Sequence, residues 1–466
     1  MQAEDFSNPG IGEIRGNSPI SCNLHRFLLA SPSAGALFAS MADVTTGMLA
    51  RATRLAGLRP LEVASHLRHL PGMVFFDSAG HLPSTAERAV SVIAARPERL
   101  LRGSIHLADD RAVLTKALAD GHGAQGDTGF PAGGLCGWIG YEGEFVFGDF
   151  REMLVFDHAD ESWWEIGRLS AELLESHGAP FAIGEFHAST SREGFMRSVE
   201  RAKEWIAAGD IYQVNLAHSF EANINGGSLF PLYLSLRENS PAPMAAWLAL
   251  DDREILSSSP ETFLKISGRG IETKPIKGTR PRFHDPDEDR RSAYELQTSA
   301  KEIAELVMIT DLLRNDLGQV CEFGSVEVSE MLQLETLAQV HHLVSTVRGT
   351  LRADINVIEA LAACFPGGSI TGAPKKRAME IIRELENSPR GIYCGAVGWL
   401  GFNGESSFNI AIRTLVRNKE RLSYHVGAGI VADSDPEKEY EETLHKAAGI
   451  RAGLDRCKLN TRVGGA

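Results

Sequence analysis

This chain has no cysteines spaced for metal or disulfide chemistry. Cys22, Cys136, Cys321, Cys364, Cys394 and Cys457 are scattered without a C-x-x-C pair, which argues against a zinc site or disulfide framework and for a reducing, cytoplasmic setting. Long apolar runs are missing as well: none reaches the roughly 18 residues a membrane helix needs, so no membrane span is expected. Positive charge is in deficit, with 47 Lys and Arg against 61 Asp and Glu and a net charge of -14. No Lys/Arg-rich run offsets this locally, which excludes nucleic acid as the expected partner. Phosphate loops are absent too. The glycines of "FPAGGLCGWIGYEGEFVFGDF" (130 to 150) alternate with aromatic and aliphatic residues as buried strands do, and "GAGIVADS" (427 to 434) lacks a third glycine.

What remains is an ordinary globular composition over 466 residues, 43% hydrophobic and 23% charged, enough for a large core. Residues 1–54, rich in Gly, Ser, Asn and Pro, read as a flexible N-terminal extension, within which Met41 and Met48 are alternative starts. The apolar stretch 27 to 42 is interrupted by Pro32 and no basic cluster opens the chain, so it is not read as a signal peptide. A first folded segment spans 55–185, with "LEVASHLRHL" at helical spacing and "MVFFDS" as a strand. After a polar joint, residues 190–455 form the second segment, where "REGFMRSVERAKEWIAAGD" reads as an amphipathic helix closed by Gly209 and "IYQVNLAHSF" as a strand. Strands and helices in mixed order with short turns indicate α+β.

Two features carry chemistry. In "TKPIKGTRPR" (273 to 282), Lys277 sits between Pro275-Ile276 and Gly278 in what reads as a tight turn, while Lys274 reads as a strand-end charge with its head in water. In "SAKEIAELVMITDLLRNDLG" (299 to 318), Glu302 and Glu305 share a helix face with Leu306, Ile309 and Leu313. "DSDPEKEYEETLHKAAG" (433 to 449) repeats that spacing in Glu439 and Glu442, behind a proline suited to a helix start. Brought together, the two pairs make an oxygen-only cage suited to Mg²⁺; the plain alternative is that Glu442 and Lys446 form an i,i+4 surface pair.

"PIKGTRPR", "AELVMITDLLRNDLG", "FPGGSITGAPKKRAMEII", "CGAVGWL", "NIAIRTL" and "GAGIVADSDPEKEYEETLHKA" occur in this order. Together they resemble the chorismate-binding enzymes, which include anthranilate synthase component I, aminodeoxychorismate synthase component I, isochorismate synthases and salicylate synthases. The resemblance covers about residues 55 to 455 and implies a large antiparallel β-sandwich core with helices packed outside. It is nearest to the aminodeoxychorismate branch: anthranilate synthases usually carry alanine at the place of Lys277, and isochorismate and salicylate makers carry a lysine at the place of Gln213.

What the resemblance implies is replacement of the C4 hydroxyl of chorismate by ammonia in two displacements, with anthranilate formation and non-catalytic chorismate binding as the alternatives. Lys277 is the implied covalent nucleophile, which must be neutral and so suits a water-poor site. Glu261 is the implied general acid, and His342 lies near the leaving hydroxyl. His341, beside it, faces the other side of a strand. Mg²⁺ held by Glu305 and Glu442, with Glu302 and Glu439 direct or through water, takes one substrate carboxylate, and Arg413 takes the other. Gly427 and Gly429 backbone N–H groups, the Ser369 region and Lys446 complete the pocket. Trp399 stands where a tyrosine is expected. Without a glutaminase nucleophile motif, the chain implies a separate glutamine amidotransferase subunit as the ammonia source. Ser78, Pro243 and Met244 lie where relatives bind tryptophan.

Overall fold

The computed structural model describes residues 49–78, 89–121, 128–175, 178–337 and 339–462. Met41, Met48, the stretch 27 to 42 and most of the expected extension lie outside the described residues. The described chain opens on Ala50–Arg51, paired with Ser162–Ile166.

Among the described residues the strands assemble into two sheets, of thirteen and ten strands, in which the recorded pairings are antiparallel. Both sheets draw on both sequence segments. Val74–Asp77 pairs with Met244–Leu250 in the larger sheet, and Gly134–Ile139 pairs with Ala396–Gly401 in the smaller. The alternation of side chains along each strand sets the layers. On Met244–Leu250, Trp247 packs with Phe230 under the helix Phe230–Asn239. Its neighbours Ala246 and Leu248 face the opposite way, toward Trp138, Val397 and Trp399 of the other sheet. The result is the expected α+β arrangement, two sheets face to face with helices outside. No helix among the described residues is long and apolar enough to cross a membrane.

Both acidic helices form where expected. Ala300–Gly318 starts at Ser299, whose side chain accepts from the Glu302 N–H, and its stripe of Leu306, Ile309 and Leu313 is buried. Pro436–Lys446 starts at Asp435, whose carboxylate accepts from the N–H groups of Glu437 and Lys438. The first helix packs on the strands Ile276–Pro281 and Val340–Thr350 of the smaller sheet, the second on Arg421–Ile430 of the larger.

The stretch "TKPIKGTRPR" departs from expectation, because it is no tight turn. Gly270–Lys274 and Ile276–Pro281 run in one line along Val340–Thr350, with Thr273 opposite Val347 and Ile276 opposite Val344, and only Pro275 interrupts them. The register shifts between Lys277 and Thr279, a bulge in which Gly278 takes φ +73°, free of the Cβ penalty any other residue would carry. A Cβ there would stand 2.6 Å from Leu296 Cδ1 and 3.1 Å from Glu302 Oε2. The bare glycine therefore lets the first acidic helix sit directly on the bulge. Proline and glycine read locally as turn residues; the long partner strand holds them extended.

Lys274 is the second correction. Alternation sends Glu272, Lys274 and Ile276 to one side of the line, where a second cavity lies, and Lys277 to the other. The Lys274 side chain is buried, not in water, and its Nζ stands 3.2 Å from Glu335 Oε1.

Candidate active site

A cavity of about 880 Å³ opens beside the bulge, lined by Lys277, Glu261, His342, Ser369, Arg413, Gly427, Gly429, Lys446, Glu302, Glu305 and Glu442. Residues far apart in sequence are thus gathered on one surface. Glu439 stands off the lining, its carboxylate turned to the Ser434 hydroxyl at 2.7 Å.

Lys277 reaches into the cavity from the bulged strand and donates to the Ser369 carbonyl at 3.3 Å. Glu261 is buried at the entry to the strand Thr262–Ser267. Burial pushes its carboxyl above the usual range, against the opposing pull of the Ser369 hydrogen bond, Lys277 and Arg413. A carboxyl so placed is suited to hold a proton and give it up. Arg413 sits beside it at φ +49°, and burial lowers the guanidinium's proton affinity while Glu261 opposes.

His342 is buried, with Nδ1 3.0 Å from Thr279 Oγ1 and 3.4 Å from the Gly278 carbonyl. A carbonyl only accepts, so the ring proton belongs on Nδ1, leaving Nε2, buried and without a protein partner, as a free acceptor. Burial, aided by Arg413, lowers its pKa to about 4, so the ring is neutral. His341 points away and is held by Thr336 and Asp289, as alternation predicts.

The wall strand Gln213–Gly226 explains why the two cavity glycines are useful. Asn215 and Ala217 lie opposite Gly429 and Gly427, yet their N–H groups bond the Thr371 carbonyl and Glu386. Both are therefore the non-hydrogen-bonded kind of antiparallel pair, which turns the backbone groups of Gly427 and Gly429 off the wall strand. Beyond Tyr424, Arg421–Ile430 has no recorded partner on that side, and the Gly427 carbonyl accepts instead from Lys446 Nζ at 3.0 Å.

The acidic helices bring three carboxylates, Glu302, Glu305 and Glu442, to the cavity lining, with Glu439 off it. Burial raises the Glu305 pKa, opposed by Lys277 and Lys301 and reinforced by Glu302 and Glu442. Glu439 is raised chiefly by burial, and its Oε2 is buried with no protein partner. For Glu442, burial is outweighed by Lys446, whose Nζ lies 2.8 Å from Oε1, and the pKa falls. Lys301, on the first helix, is desolvated but feels Glu305, Glu439, Glu442 and Glu302 together, which raises its pKa. Among the described residues no three such groups close on a point as metal ligands do. The donor set nonetheless fits a hard cation, being all oxygen with one orphaned, buried lone-pair bearer in Glu439.

Sequence reasoning passed over several cavity residues. Lys301 directly precedes Glu302, but attention to carboxylate spacing hid it. Thr279 and Arg280 belong to the lysine motif itself. Tyr393 and His425, stacked at 5.1 Å between ring centroids with 12° between planes, come from the approach to Ala396–Gly401 of the smaller sheet and from Arg421–Ile430 of the larger, and left no local signal. Trp399 lines the second cavity rather than this one, so the expected tyrosine contact to substrate does not arise there. Ser78, Pro243 and Met244 line that second cavity too, of about 150 Å³, with Lys274.

A cleft of this kind, with a lysine amine, a buried acid and arginine opposed to two acidic helices on a two-sheet sandwich, is built for a small anionic substrate. The chain belongs to the chorismate binding enzyme family, matched over residues 133–452. It is similar to aminodeoxychorismate synthase component 1 of Bacillus subtilis (strain 168), 38% identical over 336 residues that cover 67% of this chain and 71% of that protein. It is also similar to anthranilate synthase component 1 1 of Haloarcula marismortui, 45% identical over 280 residues, which cover 60% of this chain and little over half, 56%, of that one. The crystal structure of anthranilate synthase component I from Streptococcus pneumoniae TIGR4 superposes with a TM-score of 0.66 at 27% identity, covering 80% of this chain and 94% of that chain.

Proposed function

We propose that this chain is the chorismate-converting component of an aminodeoxychorismate synthase, turning chorismate and ammonia into 4-amino-4-deoxychorismate for 4-aminobenzoate and folate synthesis. The observation that carries the reading is Lys277, whose amine enters the cavity on a bulge beside a buried acid. In the first displacement Lys277 Nζ bonds ring C2, both double bonds of the ring diene shift along the ring and the C4–O bond breaks; Glu261 gives its proton to the departing hydroxyl, which leaves as water. The Nε2 of His342 accepts a hydrogen bond from that hydroxyl beforehand and orients it. In the second, ammonia bonds C4, both double bonds move back, the C2–N bond breaks to release Lys277, and Glu261 recovers a proton from the new amine.

Arg413 pairs one substrate carboxylate in a fork, with the Gly427 and Gly429 N–H groups and Lys446 at the pocket wall. Glu302, Glu305, Glu439 and Glu442 are the proposed Mg²⁺ ligands; the ion, when bound, supplies a Lewis-acidic seat for the other carboxylate. Neutralising Glu305 and Glu442 in this way also removes negative charge from beside Lys277. A glutamine amidotransferase subunit is the proposed ammonia source, in line with the "component 1" in the relatives' names, and the cytoplasm the proposed setting.

The test is incubation with chorismate, Mg²⁺ and ammonia followed by product identification. Without ammonia, mass spectrometry should find an adduct on the Lys277 peptide that Lys277→Ala abolishes; a modified peptide elsewhere removes the mechanism. The likeness to the Haloarcula protein supports a second reading, anthranilate formation. Anthranilate is fluorescent and aminodeoxychorismate is not, so the product separates the two.

A further inference from the structure

Glu439, Glu442 and Lys446 all ride on one short helix, Pro436–Lys446. Its place relative to Glu302 and Glu305 is not fixed by the first acidic helix, which is seated on the other sheet over Gly278. Beside its packing on Arg421–Ile430 and on the helix Arg192–Ala207, a buried hydrogen bond ties it to the wall strand. Thr443, fully buried, donates its hydroxyl proton to the Tyr440 carbonyl at 2.6 Å. Its oxygen lies 2.9 Å from Nε2 of His218 on the strand Gln213–Gly226. Because the hydroxyl's one proton is committed, the imidazole must donate and the threonine accept.

The rest of the ring is held as firmly. His218 is 3% exposed, stacks on Tyr440 at 5.6 Å and 24°, and is flanked by Phe195 and Phe220 at 5.1 Å each. Its Nδ1 is buried with no protein partner, so Nε2 makes the ring's recorded directional bond. Along the same strand, residues 215 and 217 face Gly429 and Gly427 of the cavity wall. One donated hydrogen bond thus joins the helix that carries half the carboxylates to the strand that backs the substrate pocket.

We propose that His218 is a positioning residue for the cation site: through Thr443 it sets where Glu439 and Glu442 stand relative to Glu302 and Glu305. This rests on the reading of the acidic helices as the Mg²⁺ site. A residue kept only for packing could be any aromatic of similar size; a residue kept for placement needs its N–H. The distinction is measurable in the full-length chain. His218→Phe keeps the bulk and the stacking, and Thr443→Val keeps the shape of threonine without the hydroxyl.

The experiment is calorimetric titration with Mg²⁺ alone, beside thermal unfolding and turnover at saturating Mg²⁺. Kd should rise about tenfold in either variant, as loss of an indirect support of a metal site does. The double variant should bind no worse than the singles, because both remove one bond, and Thr443→Ser should restore the affinity. At saturating Mg²⁺, kcat should stay within about twofold. Unchanged Kd with a lowered Tm assigns His218 to packing and overturns the proposal. If the unmodified chain takes up no Mg²⁺ while the Lys277 adduct still forms, the cation site itself is refuted and His218 loses its role with it.

Discussion

Two cavities lie on either side of a thin partition in which Pro260 and Ile276 line both. Each holds a lysine of the same strand line, three residues apart, yet the two lysines live differently. Lys274 faces a cavity with Glu272, Glu335 and Glu405 on its walls and forms an ion pair at 3.2 Å. Lys277 is half-buried, and its recorded bond is to a neutral carbonyl at 3.3 Å. Burial alone does not pick out the proposed nucleophile, for Lys274 is the more buried of the two. What sets Lys277 apart is the direction given by the bulge, into the cavity that also holds Glu261, His342 and Arg413.

The sharpest way to break this contrast is to remove each lysine in turn. Lys277→Ala should lower turnover by at least ~10³-fold, the scale of losing a covalent nucleophile, with thermal unfolding nearly unchanged. Lys274→Ala should do the reverse. It leaves Glu335 without its cation and costs about 1–3 kcal/mol in urea unfolding, less than a fully buried pair because Glu335 is 20% exposed, while turnover falls only a few-fold. Equal losses of turnover with intact folds would erase the distinction.

Acid should separate the cavities next. His342 and His425 line the first cavity, with pKa values lowered by burial to about 4 and about 3. Both are uncharged in the folded chain between those values and about 6.5, where the unfolded chain takes up protons. Above pH 6.5 they contribute nothing to the pH dependence. As pH falls below it, the unfolded state binds more protons, and stability drops by ~1.4 kcal/mol per pH unit and histidine down to the folded pKa. Urea midpoints between pH 7.5 and 5 measure this, and His425→Asn should flatten the slope. His158, bonded to Ser78 of the second cavity, is also lowered by burial but is held by two hydroxyls. A slope unmoved by His425→Asn would place the acid-sensitive group elsewhere.

The grouping of residues around the first cavity was legible because they sit in local patterns. Glu302 with Glu305, and Glu439 with Glu442, declare a shared helix face by spacing alone, and the apolar stripe of the first helix was readable by the same count. The bulge was not legible, since Pro275 and Gly278 carry the same local signal in a turn and in an interrupted strand. The burial of Lys274 was hidden for another reason. Period-two alternation tells which side of a strand a residue takes, but not whether water or a second wall lies there. The stacking of Tyr393 on His425 joins elements of different sheets, and the weaving of both sequence segments into both sheets depends on pairings between strands far apart in the chain, which no local window contains. The sandwich itself was reached through the resemblance, not through periodicity.

The smallest expected effect tests whether the partition is a wall or a lever. Ser78 Oγ and Ser91 Oγ both lie 2.9 Å from Nε2 of His158, and one ring nitrogen offers one proton or one lone pair, so the two hydroxyls compete for a single bond. Ser78→Ala leaves Ser91 to satisfy the ring and should cost no more than about 1 kcal/mol in urea unfolding. Turnover should stay within about twofold if the second cavity is only structural. Should turnover fall tenfold at that small cost in stability, strain must be passing through Pro260 to the adjoining Glu261, or through Ile276 to the adjoining Lys277. The second cavity would then be a place from which an occupant tunes the first.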